Sequence, residues 1–171
     1  MKLSAAGFTL IELLVVMAIM GIIGVYSLAN YRSFGEDQNL RNAVLDIITL
    51  LRQAQTNATA GTICTNAGGA MWRVNFKTTN TLELQCKQPS QTSFTTKKIL
   101  VLDRNITIAS GIISEGCGGQ SISLPFPVYF APVTGKIILA DTACSLFNIP
   151  VTNNKTTKFF TIETGGRIYA Q

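Results

Sequence analysis

The sequence contains no histidine, and that absence removes the side chain most used as a general base near neutral pH and the commonest metal ligand. Only carboxylates, lysines and cysteines remain for acid–base work, so the chain reads as a protein that is not an enzyme. Charge is scarce as well. Charged residues make up 13% of the chain, and the net charge of +5 is spread thinly, with no basic run longer than Lys97-Lys98. That is a weak pattern for a nucleic-acid partner. The four cysteines, Cys64, Cys86, Cys117 and Cys144, form no C-x-x-C pair, which speaks against a zinc site or a thioredoxin-like motif. The glycine-rich Gly116-Cys117-Gly118-Gly119 lacks the Gly-Lys-Ser/Thr ending and the following amphipathic helix of a phosphate loop. No metal and no cofactor are therefore expected, and no internal repeat of fixed period is present.

What the chain does have is concentrated near its start. Gly7-Phe8-Thr9-Leu10-Ile11-Glu12-Leu13-Leu14-Val15-Val16 opens an apolar run that continues to about Ala29. Roughly 20 apolar residues suffice to cross a bilayer as a helix, so this run is expected to span a membrane once. Glu12 is the misfit, because no Lys, Arg or His stands near it in sequence and a charge at the middle of a bilayer costs roughly 2.5–3.5 kcal/mol. It needs a partner from elsewhere. Before the run, residues 1–7 are too short for an ordinary secretory signal, whose apolar stretch precedes its cleavage site. Lys2 lies on the near side, which places the leader in the cytoplasm and the rest of the chain across the membrane. Cysteines confined to the far side fit an oxidising compartment and paired disulfides.

No proline interrupts Tyr31 to Ala60, and apolar residues recur at Leu40, Val44, Ile47, Ile48, Leu51, Ala54 and Ala58. Steps of three and four mark one face of a helix. A single helix is expected from about Phe8 to about Ala60, with Gly61 as its C-cap and Gly35-Glu36-Asp37 as the point where a bend is expected. Its halves are assigned to 8–30, apolar all round, and 31–61, with one apolar stripe. From Thr62 onward, over 62–171, short β-type segments take over. Met71 to Lys77 and Thr81 to Cys86 read as a hairpin. Further strands are expected over Lys98–Leu102, Asn105–Ala109, Ser121–Leu124, Val128–Ala131, Lys136–Ala140, Lys158–Glu163 and Arg167–Ala170, with true loops over 88–96 and 111–120. Neighbouring strands joined by short turns make the pairing antiparallel. Trp72, Phe76, Phe126, Tyr129, Phe130, Phe159 and Phe160 fall mostly at alternating strand positions and read as core rather than as a ligand surface. Cys64 and Cys86 flank the hairpin and would lie close across its base, leaving Cys117 with Cys144. Four cysteines permit three connectivities, and the choice stays open.

The residues Gly7-Phe8-Thr9-Leu10-Ile11-Glu12, with a short basic leader before and an apolar helix after, resemble the processing site of type IV prepilins and type II secretion pseudopilins. The resemblance implies cleavage between Gly7 and Phe8 by a prepilin peptidase, and methylation of the new amino group of Phe8. It implies that Glu12 pairs with the methylated amine of a neighbouring subunit. It also implies membrane lipid, an inner-membrane assembly platform and other pilin or pseudopilin subunits as partners, with the C-terminal domain periplasmic or extracellular. Beyond the helix, Leu51-Arg52-Gln53-Ala54-Gln55-Thr56-Asn57-Ala58, Phe130-Ala131-Pro132-Val133-Thr134-Gly135-Lys136 and Thr164-Gly165-Gly166-Arg167-Ile168 are similar to the minor pseudopilin H and FimT-like subfamily. That likeness implies an α+β fold in which a β-rich domain of two sheets packs against the long helix. Some FimT-like members are proposed DNA receptors, which would make Arg167, Lys155 and Lys158 candidate DNA contacts; Tyr169 stands where a second basic residue would be wanted. The apolar helix has no proline, and Gly21 and Gly24 are its only built-in weak points. Retention of Glu12 argues against a pseudopilus tip subunit. The alternative to a filament subunit is a plain membrane-anchored periplasmic domain.

Overall fold

The computed structural model describes residues 9–65, 69–109, 123–138 and 146–170, with the side chains of 27–33 excepted. Its longest element is helix α1, Leu10–Thr59, and the helical assignment passes through Gly35 without interruption. The chain divides into two units, Met1–Gln38 and Asn39–Gln171.

Both ends of α1 are capped by the residues that the sequence puts there. At the start, Glu12 N donates to the carbonyl of Thr9 at 3.1 Å and to Thr9 Oγ1 at 3.4 Å. Thr9 is thus the N-cap and Glu12 the third helical residue, the spacing of a capping box. At the other end Gly61 adopts φ 63°, and the chain reverses through two backbone bonds. Thr62 N donates to Asn57 O at 2.9 Å and Gly61 N to Ala58 O at 3.3 Å, the pattern of a Schellman motif. The expected glycine cap is present.

In the second unit the apolar stripe of α1 is buried without exception: Leu40, Val44, Ile47, Ile48, Leu51, Ala54 and Ala58 all enter the core, joined by Ala43 and Leu50. The stripe packs against an antiparallel β domain of two sheets, so the fold is α+β as expected. One sheet has the order β3-β2-β1-β5-β6, from β1 Met71–Phe76, β2 Thr81–Lys87, β3 Thr95–Val101, β5 Phe126–Phe130 and β6 Ile137–Ile138. The second has the order β4-β7-β8-β9, from β4 Thr107–Ile108, β7 Leu146–Thr152, β8 Thr157–Glu163 and β9 Ile168–Ala170. The strict alternation of β1 sends Trp72, Val74 and Phe76 inward and leaves Arg73 and Asn75 on the outer face. Phe76 meets Phe160 at 6.4 Å and Phe126 meets Phe147 at 6.1 Å between ring centroids, and these contacts join the two sheets. The aromatics read as core divide accordingly. Trp72, Phe76, Phe126, Phe130 and Phe160 are buried, while Tyr129 and Phe159 are half-buried at outward positions.

Three expectations about strands need correction. β3 starts at Thr95, inside the stretch read as a loop over 88–96, because polar Thr95 and Thr96 pair with Cys86 and Gln85 at the open edge of a sheet, where no apolar pattern is required. β5 starts at Phe126, ahead of the expected Val128, with Pro127 inside it. β7 was not expected at all. It contains Pro150, and proline argues against a strand unless one side of it lacks a ladder partner. Pro127 lies outside the part of β5 that β6 faces, Tyr129 and Phe130; Pro150 lies just past the end of the two-residue β4, where its carbonyl still accepts from Ala109 N at 3.1 Å and only its own missing N–H is lost to the ladder. The expected strand Ser121–Leu124 lies partly outside the described residues, and Ser123 and Leu124 are not in a strand. The loop over 111–120 lies outside them altogether.

Candidate functional site

The residues expected to be cut and methylated, Gly7 and Phe8, lie outside the described residues. The helix after them is described from Leu10, and in the isolated chain its apolar side chains are open on every side: Leu10 is 82% exposed, Ile22 72% and Val25 72%. Exposed apolar surface on that scale marks a contact with lipid or with other apolar helices. Among the described residues no helix is long and apolar enough to cross a membrane; the apolar run of the sequence continues to Ala29, past Tyr26, the last side chain described before the interval 27–33. Glu12 is exposed within this apolar surface. Its position at the third residue of the helix gives its carboxylate a second use, since a negative group in the first turn is favoured by the helix dipole by roughly 0.3–1 kcal/mol. Sequence reasoning missed this use, although Thr9-x-x-Glu12 is itself the capping-box signature.

In the second unit, the three segments singled out from the sequence meet at one side chain. Gln55, on the last turns of α1, donates from Nε2 to Gly135 O at 3.2 Å and to Gly166 O at 2.9 Å. Arg52, one turn earlier, donates to Ile168 O at 3.1 Å, and Val133 N donates to Ala58 O at 3.1 Å. The turn 132–135 and the turn 164–166 are thereby fastened to the end of the helix. Gly135 adopts φ 62°, and a Cβ there would lie 2.5 Å from Thr59 Cγ2; Gly166 adopts φ 96°, and a Cβ there would lie 3.0 Å from Gln55 Nε2. Each glycine is required twice, for its backbone conformation and for the close approach. Both turns were legible as turns; their junction was not.

Cys64 and Cys86 form a disulfide, with a Cα–Cα separation of 5.7 Å. It ties the segment following α1 to the end of β2, beside the hydrogen bond from Trp72 Nε1 to Thr62 O at 3.3 Å. Cys117 and Cys144 lie outside the described residues. The candidate DNA contacts are separated. Lys155 lies in the turn that joins β7 to β8, while Arg167 lies in the turn at the far end of β8 and faces Glu163 at 4.0 Å. Lys158 lines a groove with Arg41, Val44, Leu45 and Ala170. The length of β8, on the order of 20 Å, stands between Lys155 and Arg167.

Comparison with known proteins agrees with the N-terminal geometry and is confined to it. Residues 2–27 match the family model described as the prokaryotic N-terminal methylation motif. No curated protein and no solved structure matches the chain. The match covers Gly7, Phe8, the capping Thr9 and Glu12, and supports a type IV pilin-like or pseudopilin subunit, a structural protein that assembles with others of its kind. The chain carries a type IV pilin-like leader and N-terminal methylation motif at residues 2–27.

Proposed function

We propose that the protein is a minor pilin or pseudopilin of the pseudopilin H and FimT-like kind, held in the inner membrane by one span and then drawn into a filament through its N-terminal helix. The observation that carries this reading is the match of residues 2–27 to the methylation motif, followed directly by apolar side chains with no cover in the isolated chain. Prepilin peptidase cuts between Gly7 and Phe8 on the cytoplasmic side, and the amine of Phe8 is methylated. Glu12 then meets the methylated amine of a neighbouring subunit. Two charges that are each costly in lipid offset one another when brought together, and a subunit inserted out of register leaves both unpaired. The pair thus selects register as well as holding subunits together. The subfamily reading draws support from Gln55, which gathers the very segments that carry the resemblance. The disulfide is in keeping with a C-terminal domain outside the cytoplasm.

Mass spectrometry of the mature N-terminus tests the reading. The expected result is a chain beginning with N-methylated Phe8. An intact leader in cells with active peptidase would overturn it in favour of a plain anchored domain. Capture of DNA draws less support, because Lys155 and Arg167 lie at opposite ends of β8 and Arg167 faces Glu163.

A further inference from the structure

The outer face of the five-stranded sheet, turned away from the core and from α1, carries a charged cluster that core packing does not require. Register sets it out in a row: Arg73 lies opposite Gln85 on one side and Tyr129 on the other, and Gln85 lies opposite Thr96. Arg73 Nε donates to Gln85 Oε1 at 2.7 Å, and Nη1 donates to Tyr129 Oη at 3.1 Å. The guanidinium carbon stands 3.6 Å from the centroid of the Phe94 ring and 5.6 Å from that of Tyr129. A second cation, Lys87 Nζ, stands 5.5 Å from the same Phe94 centroid.

The carboxylate of this row is already in use. Glu83 accepts from Lys77 Nζ at 2.8 Å and from Gln85 Nε2 at 2.7 Å. Among the described residues no carboxylate pairs with Arg73 or Lys87. Arg73 is therefore oriented by neutral acceptors and aromatic faces alone, although a guanidinium has five N–H donors in a fork that fits a carboxylate edge to edge. Orientation of that kind removes the entropic cost of ordering a long side chain at the moment of binding.

We propose that Arg73 and Lys87 form a subsite for a carboxylate group of an acidic polypeptide ligand, bound on the outer face of the sheet. The planar fork of Arg73 takes two carboxylate oxygens, and Lys87, beside the same ring, adds a point charge. Nucleic acid is the poorer match. The rings of Phe94 and Tyr129 are already stacked with cations, so neither is an open platform for a base, and two cations do not make a stripe that tracks a phosphate backbone.

Calorimetric titration of the full chain in detergent micelles, at constant low ionic strength, tests the site with oligo-glutamate, inorganic phosphate and oligothymidylate as probes. Oligo-glutamate is expected to bind, and Lys87→Gln and Arg73→Lys each to weaken it roughly tenfold, as expected for loss of one charge-assisted contact or of the bidentate fork. Lys87 makes no hydrogen bond within the cluster, so its variant keeps the test independent of any loosening caused at Arg73. Absence of binding by the unaltered protein, binding of either variant as tight as that of the unaltered protein, or tighter binding of phosphate or oligothymidylate than of oligo-glutamate would each overturn the proposal.

Discussion

The side-chain amide of Gln55 reaches Gly166, distant in sequence by 111 residues, with a donor–acceptor distance of 2.9 Å, and the same nitrogen also serves Gly135. One amide thus replaces water at two turn carbonyls and fixes both turns against the end of the helix. Gln55→Ala is expected to destabilise the domain by about 1–3 kcal/mol, the cost of leaving acceptors without a donor. Gln55→Glu should cost at least as much, since it sets a carboxylate against two carbonyl oxygens. Thermal unfolding followed by circular dichroism measures both. Equal melting of Gln55→Ala and the unaltered protein would remove the junction from the account.

Gly135 is expected to be less tolerant of alanine than any exposed glycine of the apolar helix. Its φ of 62° strains an L residue, and the added methyl meets Thr59. The backbone strain alone costs roughly 1–3 kcal/mol. Thr59→Ser removes the methyl that the new Cβ would meet, so the double variant should recover part of the loss, while the strain remains. Denaturant midpoints of the two variants measure the recovery.

The Cys64–Cys86 bridge closes a sequence separation of 22 residues. In the chain-entropy account such a loop contributes about 3 kcal/mol. Cys64→Ser with Cys86→Ser should lower stability by that order, measured as a shift in denaturant midpoint under non-reducing conditions. A midpoint that does not move would show that the unfolded chain is not restrained by this bridge.

The pairing proposed for Glu12 and its place in the capping box separate by substitution. Glu12→Gln keeps a side chain that serves at the third position of a capping box but removes the charge. Cleavage after Gly7 should continue while incorporation into filaments falls, scored by mass spectrometry and by immunoblot of sheared filaments. Thr9→Ala does the reverse, costing about 1 kcal/mol of helix capping while leaving the charge in place. If Glu12→Gln assembled normally, charge pairing would be the wrong reason for the residue.

Much of the second unit was legible in advance because its signals are local. Apolar steps of three and four from Leu40 to Ala58 describe one helix face, and every residue of that stripe is buried. The alternation of Trp72, Val74 and Phe76 describes one sheet face, and all three lie in the core. Strands that could not be read in advance were masked by a stronger local signal. Pro150 hid β7, because a proline lacks the N–H that a ladder uses and fits a strand only where the one neighbour on that side does not need it, and whether it does depends on how far β4 extends. Thr95 and Thr96 hid the start of β3, because an edge strand buries little.

By itself, the sequence determined the N-terminal methylation motif, the long helix with its C-terminal glycine cap, and the β-rich character of the chain beyond Gly61. Those features depend on side-chain period and on residues within one turn of each other, so no other part of the chain is needed to read them. Only the tertiary structure decided that Gln55 joins two distant turns, that Arg73 stands oriented without a carboxylate, and that Lys155 and Arg167 lie at opposite ends of β8. The reason is register. Which residues of one strand face which residues of another is set by the packing of the whole core, and a shift of one position would have turned Arg73 inward and Val74 out.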